Sequence, residues 1–110
     1  VTGGLQVAKT ALQAGLRYCP HHLGGGIGLV ASAHLLAASG GDGLLEMDIN
    51  PNPIQEAWAK PFPKLNQGKL PLPEGPGLGV ELKLRKVRKH LCLHLKSGYL
   101  GNDIDWIAFG

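Results

Sequence analysis

The chain has 110 residues, which fits one small domain or part of a larger fold. Its 17 glycines and 8 prolines predict many turns and few long regular elements. The net charge of +3 is unevenly placed: residues 1–82 hold five basic and six acidic side chains, and residues 83–110 hold six basic and two acidic ones. The first 82 residues therefore give no electrostatic argument for nucleic-acid binding.

The two cysteines, Cys19 and Cys92, do not make a disulfide framework, so a reduced, cytoplasmic setting is expected. The chain does not open with a basic segment and an apolar core, so no signal peptide is predicted. The longest weakly polar run, residues 23–41, is interrupted by glycines and by His34 and is a poor membrane span. We therefore predict no membrane partner.

The first half of the chain predicts alternating helices and strands. Residues 5–14 have apolar side chains at helical spacing, and Gly15 is placed to end that helix. Residues 16–19 are typical of a short strand that Pro20 terminates. A glycine loop then leads into an apolar helix over residues 27–39, in which His34 is interpreted as a packed, hydrogen-bonded side chain.

A second strand is predicted over residues 44–49, after a glycine turn. Helices and strands that alternate through short connections are typical of α/β folds with parallel strands. Residues 50–79 are rich in proline and glycine, with a short helix expected over 53–59 and a hairpin over 64–70. Because two strands and two helices cannot cover a parallel sheet, the sequence indicates part of a larger fold.

The candidate chemistry lies at the ends of the two strands. His21 and His22 follow the first strand, where sites form in parallel α/β folds and where a histidine can act as a general base. A surface or structural histidine pair is the alternative interpretation. Glu46 and Asp48 share one face of the second strand, either as site carboxylates or as solvated acids.

The glycines Gly24, Gly25 and Gly26 precede a helix, so their N–H groups could bind a substrate carboxylate or simply form a turn. The segment does not match a dinucleotide-binding fingerprint. No cluster with the usual spacing of metal ligands is present in the sequence.

Three segments in order carry a resemblance: PHHLGGGIGLVASAHLLAA, LLEMDINPNP and PFPKLNQGKLPLPEGPGLGVEL. Residues 1–82 resemble the C-terminal part of the enolase superfamily, in its mandelate racemase/muconate lactonizing enzyme branch. The resemblance implies the last strands and helices of a modified (β/α) TIM-type barrel over residues 1–49. Residues 50–82 would return toward a capping domain, and residues 83–110, a basic tail, depart from the family pattern.

The resemblance also implies a reaction. A base removes the proton α to a carboxylate, and Mg²⁺, held by residues outside this chain, stabilises the enediolate. The histidine at the end of the seventh strand falls on His21 or His22, with a slight preference for His21. Glu46 would help to bind and polarise the substrate carboxylate. The usual aspartate partner of the histidine would lie before or at residue 1.

The resemblance favours a sugar-acid dehydratase, a lyase whose partner is a small carboxylate substrate. A racemase or epimerase of the same superfamily is the first alternative, and a homo-oligomer is expected for the whole enzyme. A different alternative is a non-catalytic fragment whose basic tail binds an anionic partner. Nucleic acid is not the favoured partner of this tail, because a run of basic residues more often forms a solvated face.

Overall fold

The computed structural model describes residues 1–82, and the predicted basic tail over 83–110 lies outside them. The element order is α1 (Thr2–Gln13), β1 (His21–His22), α2 (Gly26–Ser39), β2 (Glu46–Met47) and α3 (Pro53–Trp58). The two strands pair in parallel, which confirms the predicted α/β class. None of the helices in these residues is long and apolar enough to span a membrane.

Helix α1 begins earlier than predicted and ends where the sequence indicated. Its first turn includes Thr2, and the N–H of Leu5 donates to the carbonyl of Val1 over 3.0 Å. Gly15 has φ +73° and donates to Leu12, while the next N–H, of Leu16, reaches back to the carbonyl of Ala11. This pair of bonds satisfies carbonyls at the helix end, and glycine adopts the positive φ without steric cost.

The predicted strand over residues 16–19 is wrong, because the first strand lies at His21–His22, after Pro20. The N–H of Leu44 is directed to the thiol of Cys19 over 3.4 Å, so it does not enter a backbone ladder. The first ladder bond is formed when the N–H of Glu46 donates to the carbonyl of Pro20 over 3.1 Å. Proline has no backbone N–H, but its carbonyl can still accept a hydrogen bond. Pro20 was predicted to end the strand, and instead its carbonyl accepts the first hydrogen bond of the sheet.

The core of the described residues centres on α2, which packs against both α1 and α3. The helix begins at Gly26, one residue earlier than predicted, so this glycine of the predicted loop belongs to its first turn. Within residues 1–82 the buried apolar side chains come from α1, from α2 and from the residue after α3: Ala8, Leu29, Val30, Ala33 and Ala59. Burying a side chain such as Leu29 contributes about 1.5–3 kcal/mol.

Residues 50–82 contact this core through α3 and through a hydrogen bond to α2. The ring Nε2 of His34 lies 3.1 Å from the carbonyl oxygen of Leu78, which confirms a hydrogen-bonded histidine in α2. Lys60 and Glu81 exchange backbone hydrogen bonds of 3.0 and 2.7 Å. The predicted short helix is confirmed as α3, and the predicted hairpin is present at residues 66–69.

Candidate functional site

The parallel register places His21 directly opposite Glu46, the first pair of the sheet. Side chains at opposed positions of neighbouring strands project from the same face, about 5 Å apart at the backbone. The Nδ1 atom of His21 accordingly lies 3.0 Å from a carboxylate oxygen, Oε2, of Glu46. Both side chains remain more than half exposed, at 54% and 60%. The site is therefore an open pair at the strand ends.

The contact with Glu46 fixes which nitrogen of His21 is free. An ionised carboxylate only accepts hydrogen bonds, so Nδ1 carries the proton that is shared with Oε2. In the neutral ring Nε2 then holds the lone pair, and among residues 1–82 no hydrogen bond to this atom is observed. A histidine oriented in this way can accept a proton at Nε2.

The neighbouring His22 points the other way, into the turn that leads to α2. Its Nε2 lies 3.2 Å from the carbonyl oxygen of Gly25, and the residue is half-buried. A Cβ atom at Gly28 would overlap the Cε1 and Nε2 atoms of this ring, and one at Gly24 would lie 2.8 Å from Nε2. The ring therefore occupies a cradle made by two residues that lack side chains.

The three glycines predicted to hold an anion have different surroundings. Gly25 is the residue that precedes α2, and its carbonyl already accepts from the N–H groups of Gly28 and Leu29. Gly26 is buried, and a Cβ there would overlap the carbonyl oxygen of Gln55 on α3. Gly24 is exposed. An anion site at these N–H groups stays a prediction.

Asp48 does not share the contact between His21 and Glu46. It lies just after β2, whose two residues are fewer than the six predicted, and its Oδ1 accepts from both the backbone N–H and the side-chain amide of Asn50, each over 2.9 Å. These bonds hold the turn that follows the strand. A substrate-binding role for Asp48 stays a prediction.

Comparison with known proteins identifies the family. The enolase C-terminal domain-like family matches residues 1–87, most of the chain. The chain belongs to this family. This match confirms the family that the resemblance of the three sequence segments predicted.

Two characterised relatives are similar to this enolase-like chain. An arabinonate dehydratase from Saccharolobus solfataricus is 27% identical over 95 residues, which are 83% of this chain and 25% of that protein. A D-galactarolactone cycloisomerase from Agrobacterium fabrum is 29% identical over 85 residues, or 70% of this chain and 22% of that protein. The chain thus spans a quarter or less of the length of these relatives.

The sequence did not indicate two residues, Pro20 and Gly43, that position the strand carrying Glu46. The carbonyl of Pro20 holds the backbone of Glu46, and Gly43 lets the connection before β2 pass against the carbonyl of Tyr18, where a Cβ would overlap. The proline was interpreted only as a terminator and the glycine only as a turn residue. A proline one residue before the histidine pair was the available signal for the first role.

Proposed function

We propose that this chain is part of an enzyme that removes the proton α to the carboxylate of a sugar acid, with His21 as the proton-transfer residue. The observation that carries the proposal is the 3.0 Å contact of His21 Nδ1 with Glu46, which leaves Nε2 as the free base. Family membership supports it, as does the similarity to a relative named as an arabinonate dehydratase.

The proposed step balances around His21. Its neutral Nε2 takes the α-proton, and the electron pair of the broken C–H bond passes into the enediolate of the substrate. The proton on Nδ1 stays hydrogen-bonded to the carboxylate of Glu46 during this step, which keeps the ring oriented. In a dehydratase the same imidazolium returns its proton to the β-hydroxyl group, which leaves as water while the enediolate collapses to an enol.

The magnesium ion implied by the sequence resemblance is assigned to residues outside this chain. Within residues 1–82 no group of three or more histidine, cysteine, aspartate or glutamate side chains is arranged to hold a metal. The described residues do not fit a Mg²⁺ site by themselves, because Mg²⁺ takes an octahedral set of oxygen ligands.

The proposed place of the chain in a whole enzyme follows from its open sheet. Among residues 1–82 the two parallel strands have no further strand at their outer edges, and such edges need further strands or a cover. We assign residues 1–49 to the last two strands of a (β/α) barrel and residues 50–82 to a segment that returns toward a capping domain. The basic residues 83–110 stay a separate, atypical tail in this scheme.

The proposed setting of the enzyme is the cytoplasm, with a small sugar acid as its partner and a homo-oligomer as its assembled state. Cys19 supports the setting, since it is an exposed free thiol and such thiols persist in reducing compartments. The proposed substrate carboxylate would lie near the N–H groups of Gly24, Gly25 and Gly26 and near Asp48, at the end of the sheet that carries His21.

A second candidate is an isomerase, which the similarity to a relative named as a D-galactarolactone cycloisomerase favours. Both candidates need a proton moved at the carbon next to a carboxylate. They differ in the second half of the reaction, where only the dehydratase releases water. Product analysis separates them, because a dehydratase yields a 2-keto-3-deoxy acid and an isomerase yields a product of unchanged composition.

The test is the exchange of the α-proton of arabinonate in D₂O, followed by NMR on the natural-length protein that carries this chain. We expect His21→Asn to lower the exchange rate by about 10²-fold or more, since general acid–base catalysis contributes about 10²–10⁴-fold. Glu46→Gln keeps a hydrogen-bond acceptor but removes the charge, and it should give a smaller loss.

The matched control is His34→Gln. This variant also removes an imidazole, but at a site in α2 where an amide can still donate to the carbonyl of Leu78. Exchange should be unchanged in this control. An undiminished rate in His21→Asn would contradict the assignment of His21.

A further inference from the structure

We propose that His22 is a positioning residue, which fixes the direction of His21 by holding the turn between β1 and α2. The proposal rests on the proposed role of His21 and adds to it. It assigns different tasks to two adjacent histidines that share one sequence motif.

The first argument is the protonation of the ring. The partner of His22 Nε2 is the carbonyl oxygen of Gly25, at 3.2 Å, and a carbonyl can only accept. The ring must therefore carry its proton on Nε2. His21 is held as the opposite tautomer, because its Nδ1 faces the Glu46 carboxylate. A ring committed to donating from Nε2 cannot use that atom as a base.

The second argument is steric. The ring fills the space in which Gly24 and Gly28 would carry side chains, and Gly28 lies in the first turn of α2. His22 therefore ties the strand to the helix by contact on two sides and by one hydrogen bond. Because successive residues of a strand project to opposite faces, holding His22 in this cradle directs His21 toward the face of Glu46.

The ring of His22 fits closely against Gly24 and Gly28. Glycine in a helix is less favourable than alanine, so Gly28 has a cost that the packing of the His22 ring explains. A larger side chain at position 28 should therefore displace the ring of His22 and, through it, move His21, which the new side chain does not itself contact.

The activity test separates positioning from catalysis by conservative rescue. His22→Gln retains an N–H donor close to the place of Nε2, whereas His22→Phe retains only a ring. We expect His22→Gln to keep kcat within about threefold, and His22→Phe to lose roughly tenfold to a hundredfold in kcat, the size of effect that a displaced catalytic group produces. KM should change little, because the substrate contacts remain.

Gly28→Ala is the independent variant, since it displaces the ring of His22 without replacing either histidine. It should lower kcat as His22→Phe does, although alanine favours the helix. Gly3→Ala is its matched control, because a Cβ at that α1 position meets no atom within 4 Å. Equal losses in His22→Gln and His22→Phe would overturn the proposal and indicate that His22 itself transfers protons, and full activity in both would remove any role for it.

Two NMR measurements on the natural-length protein decide the proposal without turnover. Long-range ¹H–¹⁵N correlation should show His22 protonated on Nε2, and a proton on Nδ1 alone would overturn the assignment. The nuclear Overhauser contact between the His21 ring and the Glu46 side chain should persist in His22→Gln and disappear in His22→Phe. Its persistence in both variants would overturn the positioning role. If these contacts behave as expected while arabinonate exchange is absent, the proposed function fails and the structural role of His22 stands.

Discussion

The contact between His21 and Glu46 is held by the backbone and not by its own charge. Both side chains are more than half exposed, and ion pairs in such surroundings contribute only about 0–1 kcal/mol to stability. The register of β1 and β2 brings them together, and the first hydrogen bond of that pairing is accepted by the carbonyl of Pro20. Removing the charge of Glu46 should therefore alter proton transfer far more than it alters folding.

A second exposed pair gives a residue-scale prediction of pH dependence. Arg17 Nη2 lies 2.8 Å from Asp42 Oδ2, and this hydrogen bond, with the guanidinium charge, lowers the pKa of Asp42. A carboxyl whose pKa is lowered by folding stabilises the native state at neutral pH and loses that effect as the pH falls through the folded pKa. Asp42→Asn should therefore lower Tm at neutral pH, with the difference fading below about pH 4.

Thermal melts of both forms from neutral to acidic pH check this prediction. High salt, about 0.5 M, should also shrink the difference, because the pair is exposed and screened. Glu74→Gln is the control, since Glu74 is an exposed carboxylate in the proline-rich segment and not the partner of Arg17. A difference for Asp42→Asn that grows toward acid would contradict the assigned direction of the pKa.

At the scale of elements, the hairpin at residues 66–69 has one unfavourable residue. Asn66 and Lys69 exchange two backbone hydrogen bonds of 2.8 and 2.9 Å across a two-residue loop. Both loop residues have positive φ, +48° at Gln67 and +75° at Gly68, which is the pattern of a type I′ turn. Asparagine and glycine fit such positions, and glutamine does not.

Gln67→Asn should therefore stabilise this hairpin by up to about 1 kcal/mol, and Gly68→Ala should destabilise it by a similar amount. Amide hydrogen exchange at Lys69, whose N–H closes the turn, measures both effects locally. Gln13→Asn is a suitable control for the chemical change, because it lies at the end of α1, away from the turn. Faster exchange at Lys69 in Gln67→Asn would contradict the turn assignment.

At the scale of the whole molecule, the described residues bury few large side chains. Leu29 and Val30 are the largest fully buried ones within residues 1–82, whereas Ile49 is 95% exposed and Leu44 66% exposed. An open apolar cavity of about 390 Å³ also lies between α2, the segment around β2 and the hairpin, lined by Leu36, Leu44, Leu45, Met47, Leu65, Leu70 and Leu72 among others. Exposed apolar surface of this kind is expected if the chain packs against further parts of a larger fold, as proposed above.

The 110-residue chain by itself should accordingly unfold with a shallow dependence on urea, because the slope scales with the surface that unfolding exposes. It should also bind the dye ANS in its folded form, as states with accessible apolar surface do. Equilibrium urea titration and ANS fluorescence measure both properties, and the natural-length protein should show a steeper transition and weaker dye binding. A steep transition without ANS binding in the 110-residue chain would contradict the proposed incomplete fold.

The sequence alone determined the family, the helices, the parallel pairing and the hairpin, because each depends on local spacing or on a motif of several residues. It placed β1 too early, because Gly43 approaches the carbonyl of Tyr18, and the N–H of Leu44 the thiol of Cys19, only in the folded chain. Pro20 is then the first acceptor of the pairing.

It could not separate His21 from His22 either, because adjacent residues with identical side chains carry the same local signal. Only the tertiary structure turned His21 toward Glu46 and His22 toward Gly25. The two histidines differ in their partners. Glu46 is distant from His21 in the sequence, and Gly25 is one of several consecutive glycines that no local signal distinguishes.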